Sequence, residues 1–308
     1  MASATVAYGR IHNPTEGRIG GGRPFGRPLS LKAQALGRQA DHQVVTRPTL
    51  AIVPVYVRDE PEVEVLLKCL VSLQATAPDA RVLIVDDHSP SEPMVALVEA
   101  AADELGVAFV RKDENTGFAG AVNVGLEVAR ATELDAVLVN ADIEFPQAGW
   151  LDVMRARTDT QGRPAAVVGA RLLYPTGLLQ HAGVYFSQLH RYFGHRFNHG
   201  PGDLPEALAP CRCPVTAALQ LIRYETLVAV GIYDETFGLA HEDMDYCLRV
   251  FDAGLDCIYE PAAVAVHHES MFRSRRSKRI EEMHRRSFDR LIEKYGSMDM
   301  TAWTPVAL

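Results

Sequence analysis

From Leu50 onward the chain alternates short, continuously apolar runs with stretches of helical periodicity, and few architectures accept that alternation. Leu50-Ala51-Ile52-Val53-Pro54-Val55 reads as a strand, and Val63, Leu66, Leu67, Leu70 and Leu73 follow at the spacing of one helix face. Further strands are expected over Arg81 to Val85, Val107 to Val110 and Ala136 to Val139, separated by helices over Met94 to Leu105 and Ala119 to Ala131. Strands that are apolar at every position, not at every second one, belong to a parallel sheet covered on both faces. Ligands of such sheets sit beyond the carboxyl ends of the strands. Pro54 to Arg58, Asp86-Asp87, Arg111 to Gly117 and Asn140 to Asp142 each come just after an expected strand, so one sheet edge collects most of the polar residues of this half. A purely structural protein has no need of that concentration.

The second half is less regular. Strands are expected over Ala165 to Leu172, Cys257 to Tyr259 and Val264 to Val266, with a strand running into a short helix over Leu221 to Gly231. Helices are expected over Asp243 to Ala253 and Ser274 to Tyr295. With 308 residues, 47% of them hydrophobic, the chain is long enough for a sizeable core. Its net charge of -8 averages unlike parts, because the N-terminal stretch is rich in arginine, so a field that attracts nucleic acid is not indicated. The five cysteines are odd in number and sit in apolar patterns, which argues against a disulfide framework. Cys211 and Cys213 lack the spacing and the second pair of a zinc site. No apolar run approaches the roughly 20 residues that cross a bilayer, and no apolar segment follows the basic N-terminus as in a secretion signal, so a cytoplasmic location is expected.

Two acidic blocks carry the chemistry, Asn140-Ala141-Asp142-Ile143 and His241-Glu242-Asp243-Met244-Asp245, with His267 after the second. Asp142 is a candidate ligand of magnesium or manganese, which take hard oxygen donors and let phosphate oxygens complete the shell. His267 is either a neutral imidazole ligand or a buried histidine bonded to a carbonyl. Three carboxylates crowd one helix start; Asp245 and Arg249 are i,i+4 partners, while Glu242 and Asp243 lack such a local explanation. Asp243 is the candidate general base, with Glu242 beside it. Asp86-Asp87-His88-Ser89 can accept from the ring N-H of a uracil or thymine, or serve as a turn and helix cap. Asn115 to Asn123 puts small residues at a loop-to-helix junction, either a seat for negative charge or a plain helix start. It has neither the GxGxxG spacing of a dinucleotide fold nor the lysine of a Walker loop.

Five ordered blocks closely resemble the inverting GT-A glycosyltransferases of family 2, most of all the rhamnosyl- and galactofuranosyltransferase branch, over about residues 50 to 270. They are Ile52-Val53-Pro54-Val55-Tyr56, Val85-Asp86-Asp87-His88-Ser89, Asn115-Thr116-Gly117-Phe118-Ala119-Gly120, the Asn140 block, and a late series. That series comprises Gly231 to Phe237, the His-Glu-Asp block and Tyr259 to His267. The resemblance implies an α/β GT-A (Rossmann-like) fold: a mostly parallel sheet flanked by helices, a less regular acceptor-side half and a C-terminal helix. It implies a UDP- or dTDP-sugar donor and a manganese or magnesium ion. Asp86 would contact the base, and Asn115, Gly117 and Gly120 would line the nucleotide pocket together with Pro54, Tyr56, Arg58, Asn140 and Ala141. Asp142 and His267 would hold the metal, and Asp243 would be the base. Two departures stand out: Asn140 replaces the usual aspartate of the metal motif, which weakens the expected metal affinity, and Val57 replaces an asparagine.

The expected organisation is a basic Gly/Pro/Arg-rich arm over 1–48, a catalytic region over 49–272 and a charged helix and tail over 273–308. The catalytic region divides into a nucleotide-binding half, 49–145, and an acceptor half, 146–272. Arg273, Arg275, Arg276, Lys278 and Arg279 form a basic cluster that suits an anionic membrane surface, a lipid diphosphate acceptor or nucleic acid, and a solvated helix face at least as well. The acceptor is a glycan, a glycolipid, a protein or a modified nucleobase. Two rivals remain open, a nucleotidyltransferase and a non-catalytic module that keeps the nucleotide pocket.

Overall fold

The computed structural model describes residues 47–157, 159–160, 163–187, 189, 192–237, 240–269, 278–295 and 304–308. The N-terminal arm, apart from Arg47 and Pro48, lies outside them, as do Arg273, Arg275 and Arg276 of the basic cluster. The first half is β1 (Thr49–Val55), α1 (Glu60–Thr76), β2 (Arg81–Asp86), α2 (Glu92–Leu105), β3 (Ala108–Arg111), α3 (Gly117–Ala131) and β4 (Asp135–Val139). Then come β5 (Ile143–Glu144), α4 (Trp150–Ala156), β6 (Asp159–Thr160), β7 (Arg163–Leu173), β8 (Leu179–His181), β9 (Val184–Ser187) and β10 (Tyr192–His195). The chain continues through β11 (Cys211–Arg212), β12 (Leu219–Ile222), α5 (Tyr224–Val230), α6 (Glu242–Asp252), β13 (Asp256–His267), α7 (Lys278–Tyr295) and β14 (Val306–Ala307).

Local chemistry explains how α1 starts and how α2 ends. Asp59 is extended and its side chain accepts from the Glu62 amide at 3.4 Å, while Pro61 supplies a helical φ in the first turn of α1. Gly106 ends α2 in the left-handed region at φ 65°, a conformation glycine adopts without a Cβ penalty.

β1 lies between β2 and β4, and β3 flanks β2, all in parallel. Beyond β4 the sheet changes character: β12 runs antiparallel to both β4 and β7, and β13 pairs with β7 in parallel. Every residue of β1 and β4 is buried, as strands covered on both faces must be. Alternate residues feed two cores. Leu50 and Ile52 join α3, α5, α6 and α7 on one face, and Ala51, Val53 and Val55 join α1, α2 and α4 on the other.

The two short strands expected near Cys257 and Val264 are one strand with a register shift between Glu260 and Val264. Pro261 sits in that shift, where a residue without an N-H does no harm to the ladder. The Ala262 amide that the shift frees donates instead to the Glu260 carboxylate at 2.9 Å. β8 to β10 and α4 carry no strong period of their own and were not expected. The five thiols are free and buried, and no helix among the described residues is long and apolar enough to cross a membrane.

Gly169 marks the tightest point of the central sheet. It pairs with Gln220 on one side and Tyr259 on the other, and a Cβ placed there would stand 2.4 Å from Val215 Cβ. Val215 is fully buried and cannot retreat. Gly169→Ala is therefore expected to destabilise by about 1–3 kcal/mol, the range for overpacked cores. Thermal unfolding checks this; an unchanged midpoint would mean that the Val215 turn yields.

Candidate functional site

β5 is only two residues long, yet it decides where the acidic block goes. It pairs antiparallel with the end of β13, setting Ile143 opposite His267 and Glu144 opposite Val266, and the His268 amide donates to the Asp142 carbonyl at 3.0 Å. The two halves of the chain are thereby joined: Asp142 Oδ1 and His267 Nε2 stand 3.1 Å apart, both residues buried. Asn140 completes the group, with Nδ2 3.4 Å from the same imidazole nitrogen and Oδ1 buried without a hydrogen-bond partner. On its far side His267 faces Gln180 of β8, Nδ1 to Oε1 at 2.6 Å.

A carboxylate, an imidazole nitrogen and an orphaned amide oxygen in one place form a donor set of the kind manganese and magnesium accept. The residues therefore fit a divalent cation. Among the described residues no group of three or more His, Cys, Asp and Glu side chains could hold a metal. The protein supplies a partial shell, which water or a ligand's phosphate oxygens would complete.

Asp243 sits in the first turn of α6, half-buried. Its Oδ2 accepts from the Ala217 amide at 3.2 Å and its Oδ1 from the Met244 amide at 2.8 Å. The carbonyl of the next residue, Ala218, accepts from the Asn140 backbone amide at 2.9 Å. One turn thus ties the candidate base to the metal motif. Ala240 and His241, just before α6, both hold left-handed backbone (φ 67° and 69°), which is costly for residues other than glycine. The His241 ring lies 5.6 Å from that of Phe288 on α7, which braces the turn. Glu242 is buried beside Asp243. Asp245 pairs with Arg249 as its spacing predicts, Oδ2 to Nε at 2.8 Å. Buried nearby, Tyr233 has its phenol pushed well above its usual pKa, by burial first and then by the charge of Asp243.

The loop beyond β2 is organised around Asp87, the neighbour of Asp86. Asp87 accepts from the amides of Thr116 at 3.0 Å and Gly117 at 2.8 Å, and pairs with Lys112 at 2.7 Å. It is therefore the cap of α3: the negative charge that a helix N-terminus attracts is here the protein's own. Asn115 closes the same loop by donating to the Asp87 carbonyl at 3.0 Å. Gly120 is needed where it stands, because a Cβ would run into the Thr116 hydroxyl, which Lys112 contacts. A second carboxylate upstream of a Gly-rich helix start is the signal that points to this cap.

Asp86 is buried at the end of β2, accepts from the amide of Ser89 at 3.1 Å and from its hydroxyl, and has Arg111 at 3.2 Å. A carboxylate has about four acceptor sites, and these contacts leave part of that capacity unused. Pro54 is buried in β1, in register with Val85, and Tyr56 follows it partly exposed. Val57 is buried and its amide donates to the Ser89 hydroxyl at 2.8 Å. Arg58 is turned away, its guanidinium on Glu62. Ala141 is buried between Asn140 and Asp142.

Comparison with known proteins accords with this layout. Residues 50–212 match the family described as Glycosyl transferase family 2. The chain is 37% identical over 154 residues to the uncharacterized protein y4gI of Sinorhizobium fredii, a match spanning 47% of this chain and 16% of that protein. It is 28% identical over 313 residues to the O-antigen biosynthesis protein RfbC of Myxococcus xanthus, spanning 92% of this chain and 24% of that protein. The chain spans about a quarter or less of the length of these curated relatives. Among solved structures it resembles GalNAc-T7 with UDP, GalNAc and Mn2+, at a TM-score of 0.55 and 16% identity over 72% of this chain and 44% of that one. It also resembles the mannosyltransferase PcManGT of Pyrobaculum calidifontis in complex with GDP-Man and Mn2+, at 0.50 and 16% over 84% and 78%. At such identities the likeness speaks to the fold, and the fold is the GT-A arrangement expected from the sequence.

Proposed function

The chain belongs to glycosyl transferase family 2, and from that premise we propose that it moves a sugar from a UDP- or dTDP-sugar to an acceptor hydroxyl with inversion. The observation that carries this reading is the Ala217-Ala218 turn, whose two adjacent residues bind the Asp243 carboxylate and the Asn140 backbone amide. In this reading Asp243 takes the proton of the acceptor hydroxyl as that oxygen attacks the anomeric carbon. The bond to the nucleoside diphosphate breaks on the opposite face. Asp142 and His267, with the Asn140 amide oxygen, would hold manganese or magnesium. When bound, such an ion supplies charge stabilisation to the leaving diphosphate. Asp86 would accept from the ring N-H of uracil or thymine. The Mn2+ and nucleotide named for the two solved structures support a metal diphosphate in this fold.

A panel of UDP-, dTDP- and GDP-sugars with and without manganese, scored by thermal shift and donor hydrolysis, tests the reading. One UDP or dTDP donor should stabilise the protein and hydrolyse slowly in the presence of manganese, and Asp142→Ala should abolish both effects. Silence toward every nucleotide would mean a binding module on a transferase fold; equal response without metal would remove the cation from the mechanism.

A further inference from the structure

Gln180 is buried on β8, 87 residues before His267, and its amide bridges the end of β13. Nε2 donates to the Glu269 carboxylate at 3.1 Å and approaches the His267 carbonyl at 3.4 Å. Carboxylate and carbonyl oxygens only accept, so the NH2 group must face them and the orientation of the amide is decided. Oε1 then faces His267 Nδ1 at 2.6 Å, and since an amide oxygen only accepts, Nδ1 must carry a hydrogen. In the neutral ring this leaves the lone pair on Nε2, the nitrogen 3.1 Å from Asp142 Oδ1.

Without Gln180 the ring has a better option. A neutral imidazole beside a carboxylate lowers its energy by placing its single hydrogen on the nitrogen that faces the carboxylate, here Nε2, and that tautomer keeps its lone pair on Nδ1, away from Asp142. We propose that Gln180, itself held by Glu269, is a positioning residue that locks His267 in the Nδ1-H tautomer, so that the Nε2 lone pair and Asp142 Oδ1 converge on one divalent cation. The cation half of this inference rests on the metal reading above; the tautomer half does not. Partners of this kind, behind a metal-ligating histidine, typically govern metal affinity by about 10–100-fold.

The test begins without metal. In long-range proton–nitrogen spectra of the metal-free full chain, labelled with 15N-histidine and recorded where the ring is neutral, the His267 signals are those absent from His267→Ala. Wild type should show Nδ1-H with a bare Nε2. Gln180→Leu should move the hydrogen to Nε2. In titrations with UDP present, followed by manganese electron paramagnetic resonance, Gln180→Leu should weaken binding by about 10–100-fold. A wild-type spectrum with Nε2-H, or an unchanged tautomer in Gln180→Leu, overturns the proposal. Manganese binding that is absent in wild type, or unaffected by His267→Ala, overturns the metal reading instead and leaves the tautomer to be judged from the spectra.

Discussion

Asp243→Asn should lower the rate of sugar transfer by about 10²–10⁴-fold, the usual worth of a positioned general base, while leaving donor affinity and folding nearly unchanged. The prediction is sharp because the substitution is so local. Asp243 holds its position through two backbone amides, those of Ala217 and Met244, and among the described residues it forms no ion pair that the change would break. An asparagine keeps one amide oxygen for the longer-range bond to Ala217, so the turn that also carries Asn140 should survive. What it loses is the ability to take a proton. The measurement is kcat with a saturating donor, alongside the unfolding midpoint and the donor dissociation constant. A midpoint within about 2 °C of wild type, with unaltered donor binding and a collapsed kcat, is the expected pattern. A variant that still transfers at the wild-type rate would show that another group takes the proton, and Glu242, buried in the same turn, is the first to examine.

Much of this site was legible because its parts follow short-range rules. β1 to β4 and the helices between them are read from apolar runs and helical spacing, and the sheet edge where Tyr56, Asp86 and Asn140 gather follows from strand direction alone. Asp245 with Arg249 is legible for the same reason, since four residues make one helical turn. The rest depends on pairings that no local pattern records. β5 is too short to show a period, yet its register with β13 is what carries His267 to Asp142. Gln180 reaches His267 from β8, a three-residue strand that the Pro175-Thr176-Gly177 turn precedes but that is too short to show a period of its own. Asp86 and Asp87 show the limit most plainly: they are chemically identical neighbours on an extended chain, so their side chains point to opposite sides. One went to Ser89 and Arg111, the other to the start of α3, and only the packed sheet says which.

The largest stability loss is expected at Asp245, not at any residue assigned to chemistry. Asp245 is fully buried and is shared by two helices. From α6 it receives Arg249 Nε at 2.8 Å, and from α7 it receives Lys294 Nζ at 2.5 Å and the Tyr295 hydroxyl at 2.7 Å. The hydroxyl needs that acceptor, and burial together with the Asp245 charge holds its pKa well above the usual phenol range. Asp245→Ala strips three donors at once. Removing one partner of a buried pair typically costs about 3–5 kcal/mol. The lower end applies here, because Lys294 is 35% exposed and retains Asp234 at 3.3 Å, and Arg249 retains the Val230 and Ile232 carbonyls. A loss of about 3 kcal/mol corresponds to a fall of roughly 5–10 °C in Tm. Asp245→Asn, which still accepts from Tyr295, should fall by less than half of that. The same loss should reach catalysis, because α7 carries the Phe288 ring against His241 and α6 begins at the very next residue, one before Asp243. A loosened α7 leaves the strained Ala240-His241 backbone without its brace, so kcat should drop in Asp245→Ala even at temperatures where the protein stays folded. If instead Asp245→Ala melts within 2 °C of wild type, α7 is held by its apolar face alone, through Leu291 and Tyr295 packed in the core, and the brace on the catalytic turn is independent of this charge.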